Sequence, residues 1–448
     1  MRFDPRTSGS IAIIGAGHAG TEAAFAFRLE GVEGPVTLIN GEETLPYQRP
    51  PLSKSFLHRG MTPPLRSPDA FVNARIDLVR ARVKAIDRAR LTLLLDRGDE
   101  IRCDHLILAV GAQPNRLAVA DGLNLANLND LQSAERLRSA LPHARRVAII
   151  GAGFIGTELA AAVVALGKQV VVVDRAARVL ERATSRDVSR YLGDRHRLRG
   201  AKIILDVGVT DIRRHSSLGC VLTLSNGVQI DADLVVEAVG VTPRLELAKQ
   251  ADLRTGIGII VDRDLLTSDP RISAIGDCTQ FPLCEASRAI VLTSVQNSAD
   301  QAKHVARRLA GGRTSYFAVP WFWSDQADDK LQIVGLVPQC ADRVVRRSKN
   351  DRSFSIFSFQ NGLLASVETL NSPAEHMIAR RLLGASVPIR PEQAEDPRFD
   401  LASLLSVSSK PIVGLVMPAG ITPSRPRWPR LTRFPSLGSR YLLVSTAS

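Results

Sequence analysis

Two glycine-rich segments have the residue types and the spacing that hold the phosphates of a dinucleotide. Residues 12–22 read AIIGAGHAGTE and residues 148–158 read AIIGAGFIGTE, so they differ at only two positions. In such a turn the first glycine permits the bend, the second lets the backbone approach a pyrophosphate, and the third lets helix and strand pack closely. Backbone amides and the positive end of the helix then hold the phosphate charge. The predicted phosphate-cradle residues are Gly15, Gly17, His18, Ala19 and Gly20 in the first copy, and Gly151, Gly153, Phe154, Ile155 and Gly156 in the second.

Both segments lie in the same strand–helix–strand pattern. An apolar stretch precedes each one, an alanine-rich stretch follows it, and a second apolar stretch comes next, at residues 36–39 and 170–173. A single glycine pattern is a weak signal, whereas two copies in this context predict two separate dinucleotide sites. The sequence therefore predicts an α/β protein with two Rossmann-like domains.

The residues at the end of the second apolar stretch indicate which nucleotide each copy binds. Asp174 can accept hydrogen bonds from a ribose 2′-hydroxyl and repel a 2′-phosphate, which favours NADH over NADPH. Arg175 and Arg178 lie close by and could instead pair with that phosphate. In the first copy, either Glu42 contacts the ribose or Asn40 does so without a charge.

Composition sets limits on the class of protein. The 448 residues are 45% hydrophobic and 23% charged, and no apolar run approaches the roughly 20 residues of a membrane helix. The N-terminus lacks the pattern of a secretory leader, so we expect a cytoplasmic protein. Neither a disulfide framework nor a metal site is expected, because the cysteines lack paired or metal-ligand spacing; they are Cys103, Cys220, Cys278, Cys284 and Cys340.

The net charge of +13 is unevenly distributed. Six basic and no acidic residues follow Asp400, which leaves +7 for the rest of the chain. A moderate positive field suits an acidic protein partner, and nothing in the body favours nucleic acid. Residues 405–448 combine prolines with arginines and show no periodicity, so we expect a disordered basic tail.

Several short segments resemble signatures of the oxygenase-coupled ferredoxin reductases, flavoproteins that serve Rieske dioxygenases, bacterial cytochromes P450 and rubredoxin. The most specific are LPYQRPPLSK at residues 45–54 and WFWSDQADDKLQ at 321–332. The resemblance implies a glutathione-reductase-like arrangement with an α+β C-terminal domain. An FAD-binding domain would comprise residues 9–115 and 244–320, an NAD(H)-binding domain 116–243, and the C-terminal reductase domain 321–404.

The resemblance also implies particular residue roles. Lys54 would lie beside the flavin and pair with Glu158 near the nicotinamide, and these two are the predicted catalytic residues. Asp277 would bind the flavin ribityl chain, Ser294 would begin a helix that faces the flavin, and Trp323 would pack near the ring. Further cofactor contacts are expected at Arg49, Val83, Gly111, Gly240, Gly276, Val295 and Gln296.

The implied reaction is hydride transfer from NADH to FAD, followed by single-electron transfer to a [2Fe–2S] ferredoxin or rubredoxin. The sequence leaves monomer and homodimer open, and no membrane partner is expected. A thiol-dependent disulfide reductase or peroxidase would need a cysteine within residues 42–54, where none occurs. A flavin-bearing signalling or scaffold protein of the apoptosis-inducing-factor type is the other alternative, and it would be marked by salt-sensitive DNA binding without ferredoxin reduction.

Overall fold

The structure, a computed structural model, describes residues 9–407 and 443–445, apart from gaps at 121, 124, 217–218, 284–288, 314, 339 and 348–351. The first part of the chain forms a parallel sheet with a small antiparallel sheet beside it. Its elements are β1 (Ile11–Ile14), α1 (His18–Leu29), β2 (Val36–Asn40), a 3-10 turn (Pro50–Ser53), α2 (Phe56–Arg59), α3 (Pro68–Asn73), β3 (Ile76–Arg80), β4 (Val83–Asp87), β5 (Thr92–Leu95), β6 (Glu100–Arg102), β7 (His105–Leu108) and β8 (Ala112–Pro114).

The next part of the chain repeats this plan. Its elements are a 3-10 turn (Ala118–Ala120), β9 (Ala126–Asn127), α4 (Leu131–Ala140), a 3-10 turn (Leu141–His143), β10 (Arg146–Ile150), α5 (Phe154–Ala165), β11 (Gln169–Val173), α6 (Arg186–Leu198), β12 (Ala201–Ile204), β13 (Val209–Ser216), β14 (Gly219–Leu224), β15 (Gln229–Ala232), β16 (Leu234–Glu237) and β17 (Val241–Pro243). Strands β9 to β12 and β16 form a parallel sheet, and β13 to β15 an antiparallel one.

The chain then returns to the first sheet. Its elements here are α7 (Glu246–Gln250), β18 (Ile259–Ile260), β19 (Ile272–Ala274), a 3-10 turn (Gly276–Cys278), β20 (Thr279–Pro282), β21 (Ala289–Thr293) and α8 (Val295–Leu309). Strand β19 pairs in parallel with β7 and completes the sheet order β19-β7-β1-β2-β3. The second sheet has the corresponding order β9-β16-β10-β11-β12, so the duplication seen in the glycine motifs extends to the whole sheet.

The last part of the chain is a five-stranded antiparallel sheet with helices. Its elements are β22 (Trp321–Gln326), β23 (Asp329–Gly335), β24 (Asp342–Arg347), β25 (Phe354–Gln360), β26 (Leu363–Leu370), α9 (Pro373–Gly384), α10 (Pro391–Glu395) and α11 (Ser403–Val407). A short strand, β27 (Leu443–Ser445), pairs in parallel with β21. The predicted fold class, two Rossmann-like domains and an α+β C-terminal domain, is confirmed.

The connections between the two parallel-sheet units lie side by side. Strand β8, which leaves the first unit, pairs antiparallel with β17, which leads back to it. The proposed boundaries at residues 115 and 243 follow these two strands directly and stay a prediction. The predicted disorder of the tail lies outside the described residues, apart from the end of α11 and β27.

Burial explains why β1 is entirely apolar and why β7 is apolar except for His105. All four residues of β1 and of β7 are buried, because a parallel sheet is covered on both faces. In the described part of the chain, no helix has both the length and the apolar character needed to cross a membrane.

Asp269 ties the return segment to the first unit. Its carboxylate is buried and accepts hydrogen bonds from Arg271 Nη2 and Arg88 Nε, both at 3.0 Å. Burial alone would raise the pKa of Asp269, but hydrogen bonds from Arg271 and Arg88 lower it to about 2. The ionised carboxylate therefore stabilises the folded protein.

We expect Asp269→Asn to lower the free energy of unfolding by about 2 kcal/mol at pH 7, because a shift of one pKa unit corresponds to about 1.4 kcal/mol. Since the folded pKa lies below the ordinary value, this contribution is complete above about pH 5 and is lost as the pH falls towards 2. Thermal melting of both proteins between pH 7 and 3 measures the difference. Asp252→Asn is the matched control, because Asp252 also pairs with Arg88 but its side chain is fully exposed. An equal effect of the two substitutions would contradict the assignment.

Candidate functional site

The first glycine turn has the close contacts that a phosphate cradle requires. Gly15 has a φ of +103°, and a Cβ there would lie 2.3 Å from the carbonyl oxygen of Ala109. A Cβ on Gly20 would lie 1.8 Å from the carbonyl oxygen of Gly15, so only glycine lets α1 approach β1 this closely. A Cβ on Gly17, in contrast, would meet no atom within 4 Å, which leaves its backbone open to a ligand. The turn fits the pyrophosphate of FAD.

A cavity of about 370 Å³ opens at this turn. It lies at the carboxyl ends of β1 and β2, which is where ligands bind in parallel sheets. Burial and the charge of Arg49 lower the pKa of His18 to about 4, so this side chain is neutral at pH 7. Eleven predicted cofactor residues line the cavity, namely Gly15, Gly17, His18, Ala19, Asn40, Glu42, Arg49, Val83, Gly111, Asp277 and Val295.

Asn40 and Glu42, the two alternatives for the ribose contact, differ in how they are used. Asn40 is buried; its Nδ2 donates to the carbonyl of Thr44 at 2.7 Å and its Oδ1 accepts from the amide of Glu42. The Glu42 carboxylate accepts from Tyr47 Oη and from Arg49 Nη2, each at 2.8 Å. Because Asn40 shapes the loop and the Glu42 oxygens retain acceptor capacity, the geometry favours Glu42 for the ribose.

Helix α8 and the turn at Asp277 meet at the same cavity. Gly276 has a φ of +78° and its amide donates to Gln301 Oε1 at 2.7 Å, which joins the turn to α8. The helix begins as predicted at Ser294, whose Oγ accepts from the amide of Asn297 at 3.1 Å. Val295 and Ser298 of this first turn line the cavity, so the positive end of the helix faces it.

The second glycine turn repeats the geometry of the first. Gly151 has a φ of +113°, a Cβ on Gly156 would lie 1.9 Å from the Gly151 carbonyl oxygen, and a Cβ on Gly153 would be free. A separate cavity of about 930 Å³ opens here. The predicted residues that line it are Gly151, Gly153, Phe154, Ile155, Asp174, Arg175 and Gly240.

Asp174 also accepts hydrogen bonds from the backbone around the second cavity, a role that the sequence did not indicate. Its Oδ2 accepts from the amide of Ala152 at 2.6 Å and its Oδ1 from the amide of Ala176 at 2.8 Å. Each oxygen retains a lone pair for a ribose hydroxyl. The Arg178 guanidinium stabilises the loop beside the cavity, because it donates to the carbonyls of Thr184 and Glu181 at 2.8 Å. The exposed Arg175 therefore remains as the candidate for pairing with a 2′-phosphate.

Lys54 and Glu158 are joined directly. Lys54 Nζ lies 2.9 Å from Glu158 Oε2, and the Glu158 side chain is only 1% exposed. Lys54 follows the 3-10 turn at Pro50–Ser53, whereas Glu158 lies in the second turn of α5, so the pair links the two dinucleotide-binding units. A buried carboxylate requires such a partner because its desolvation is costly.

Eight predicted residues are not among the described residues that line either cavity. Gly20, Gly156 and Gly276 provide close packing, and Gln296 Nε2 donates to Asp300 Oδ1 at 2.8 Å. The Trp323 ring lies 5.8 Å from that of Trp321. Among the described residues, neither cavity is lined by these five or by Ser294, Lys54 and Glu158.

The sequence analysis missed several polar residues around Glu158. Ser53 Oγ donates to Glu158 Oε2 at 2.6 Å, and Ser324 Oγ donates to Glu158 Oε1. Gln326 in turn donates to Ser324 Oγ, and His196 Nε2 lies within hydrogen-bond distance of Gln326 Oε1. The alternation in WFWSDQ places Ser324 and Gln326 on one face of β22, which is the signal that could have identified them.

Cys278, which follows Asp277 at the first cavity, lacks the properties of a reactive thiol. Burial raises the pKa of Cys278 to about 12, and Cys278 Sγ contacts the carbonyl of Ile275 at 3.3 Å. Such a thiol is unreactive. This observation disfavours the thiol-dependent alternative.

The sequence matches families of known proteins over both dinucleotide-binding units and the C-terminal domain. Residues 9–302 match the pyridine nucleotide-disulphide oxidoreductase family, and residues 321–405 match the reductase C-terminal domain. Rhodocoxin reductase from Rhodococcus erythropolis is 42% identical over 399 residues, which cover 88% of this chain and 93% of that protein.

Two solved structures extend these matches. The ferredoxin reductase for the CYP199A2 system of Rhodopseudomonas palustris is 43% identical, with a TM-score of 0.85 over 88% of this chain and 99% of that one. The reductase in the covalent putidaredoxin reductase–putidaredoxin complex is 33% identical, with the same TM-score over 90% and 99% of the two chains. These matches, which span both parallel sheets and the antiparallel one, show that the chain belongs to the pyridine nucleotide-disulphide oxidoreductase family and carries the reductase C-terminal domain.

Proposed function

We propose that the protein is an FAD-dependent NADH:ferredoxin reductase that supplies a [2Fe–2S] ferredoxin or a rubredoxin serving an oxygenase. The observation that carries the proposal is the pair of phosphate-binding turns on separate parallel sheets, joined at the Lys54–Glu158 contact. Relatives named for rhodocoxin and putidaredoxin support the class of acceptor. Bound FAD supplies the conversion between the two-electron chemistry of a nicotinamide and the one-electron chemistry of an iron–sulfur centre.

The chain's own residues bind and orient the two nucleotides. The amides after Gly15 and Gly151 hold the pyrophosphates, and Asp277 accepts hydrogen bonds from sugar hydroxyls. The amino end of α8 places a positive dipole at the edge of the first cavity. Lys54 adds a positive charge between the two units, which Glu158 holds in position.

We also propose a cytoplasmic location. The described cysteines Cys103, Cys220, Cys278 and Cys340 are free thiols. Free thiols are typical of reducing compartments, where NADH is also available.

Spectroscopy of the purified protein tests the function. We expect a yellow protein with bound FAD that reduces an acidic [2Fe–2S] ferredoxin with NADH as donor. A colourless protein that FAD cannot reconstitute would overturn the proposal. A flavoprotein that binds DNA tightly and reduces neither ferredoxin nor rubredoxin would favour the signalling alternative.

Asp174→Asn tests the coenzyme preference. The substitution keeps the side-chain shape but removes the charge that repels a 2′-phosphate and strengthens the ribose contact. We expect the ratio of kcat/KM for NADH to that for NADPH to fall by about tenfold, which corresponds to about 1.4 kcal/mol. Glu181→Gln is the control, because Glu181 lines the same cavity without lying at the strand end. A ratio that Asp174→Asn leaves unchanged would contradict the ribose role.

An aromatic and basic cluster on the C-terminal domain suits the acceptor. The Arg380 guanidinium lies 4.1 Å from the centre of the Trp321 ring, and Trp321 lies beside Trp323. Strand β22, which carries both tryptophans, packs against α8, and the first turn of α8 lines the first cavity. The cluster therefore lies close to the cavity proposed for FAD.

We expect Arg380→Glu to raise the KM for an acidic ferredoxin by about tenfold at low salt, because rim charges steer association. The ratio of ferredoxin reduction to ferricyanide reduction should fall, and the difference should diminish as ionic strength rises. Arg398→Glu is the control, since Arg398 is exposed and pairs with Asp396. Equal effects of the two substitutions would show that net charge, rather than this cluster, determines docking.

A further inference from the structure

A chain of buried hydrogen bonds runs from the second dinucleotide-binding unit, through the C-terminal domain, to Glu158. His196 Nε2 lies 2.8 Å from Gln326 Oε1, Gln326 Nε2 donates to Ser324 Oγ at 2.8 Å, and Ser324 Oγ donates to Glu158 Oε1. His196, Gln326, Ser324 and Glu158 are all at most 2% exposed. Four buried polar side chains in series are unusual, because each carries a desolvation cost.

The donors of this chain all point towards the carboxylate. Gln326 uses its amide nitrogen on Ser324, so its Oε1 must accept from His196 Nε2–H. Burial lowers the pKa of His196 and so favours the neutral ring, and the contact with Gln326 Oε1 places the ring proton on Nε2. A chain with one direction is cooperative, because each donor polarises the next.

The other oxygen of Glu158 completes the arrangement. Glu158 Oε2 accepts from Ser53 Oγ at 2.6 Å and from Lys54 Nζ at 2.9 Å. Lys54 Nζ also donates to the carbonyl of Pro50 at 3.2 Å. The carboxylate is thus held from both sides, and its position determines that of the Lys54 ammonium.

We propose that Ser324, Gln326 and His196 are positioning residues for hydride transfer, which hold Glu158 and through it Lys54. The inference rests on the proposed function and deepens it. It gives the C-terminal domain a part in the reaction with NADH, besides any part in docking the acceptor. Ser324 donates the hydrogen bond to Glu158 Oε1. Among the described contacts, no residue of either dinucleotide-binding unit donates to that oxygen.

Threonine and valine at position 324 provide a matched test, because they have the same shape and differ only in the hydroxyl. In the holoenzyme under anaerobic conditions, we expect Ser324→Thr to keep the limiting rate of flavin reduction by NADH within about threefold of wild type. Ser324→Val should lower that rate by about tenfold, as expected for a lost hydrogen bond to a buried charged group. FAD content and the apparent Kd for NADH should remain similar in both.

The order of effects along the chain separates positioning from stability. His196→Phe should lower the rate by about threefold, because it acts through two intervening bonds. The double substitution of Ser324→Val and His196→Phe should be no slower than Ser324→Val alone, since the chain is already broken at Glu158. Because residues of one hydrogen-bond network also couple in stability, the melting temperature of each variant is measured beside its rate, and the rates should follow the order of the chain rather than the losses of stability.

A control pair comes from the same domain. Ser358 is fully buried in β25, and its Oγ has no hydrogen-bond partner among the described residues. Ser358→Thr and Ser358→Val should reduce flavin equally fast. If Ser324→Thr and Ser324→Val also behaved alike, or if the double substitution were additive, the inference would be overturned. If wild-type flavin were not reduced by NADH at all, the proposed function would fail instead.

Discussion

The burial of one carboxylate, that of Glu158, is the constraint on which the site depends. Desolvating this charge would cost several kcal/mol without compensation, so donors must reach it with good geometry. They come from two separate places, Lys54 and Ser53 in the first unit and Ser324 in the C-terminal domain. Helix α5, which carries Glu158, also begins at the second cradle. This carboxylate therefore joins the two dinucleotide-binding units and the C-terminal domain at one point.

The duplicated sheets explain why one unit interrupts the other. The second sheet takes all five strands from residues 126–237, so it is complete within one stretch of chain. The first sheet lacks its fifth strand until β19 pairs with β7. The return of the chain also brings Asp277 and α8 to the first cavity, so the same step completes the sheet and the proposed flavin site.

Features with a local or repeated signal could be predicted from the sequence. Local patterns predicted the glycines of both cradles, the helix start at Ser294 and the fold class, because turn chemistry and periodicity act over short distances. The resemblance also predicted that Lys54 pairs with Glu158. The alternation in WFWSDQ could have placed Ser324 on the buried face of β22. It could not have identified the partners of Ser324 and His196, which lie 166 and 130 residues away. The hydrogen bond from the Ala152 amide to Asp174 could not be predicted either, because it depends on how closely the glycine turn approaches the end of β11.

The contact between the second unit and the C-terminal domain combines aromatic packing, such as that of Tyr191 on Phe354, with hydrogen bonds at both ends of α6. The amide of Ser185, at the start of α6, donates to Glu368 Oε1 at 2.9 Å; burial raises the pKa of that carboxyl to about 7. Near the other end of α6, Arg195 Nε lies 3.0 Å from Asp329, and Arg199 also contacts it. Apolar contacts are non-directional and would tolerate a small shift of the helix. Hydrogen bonds to buried carboxyl groups weaken when they are misaligned, so these bonds fix α6, and with it His196 and the chain that leads to Glu158.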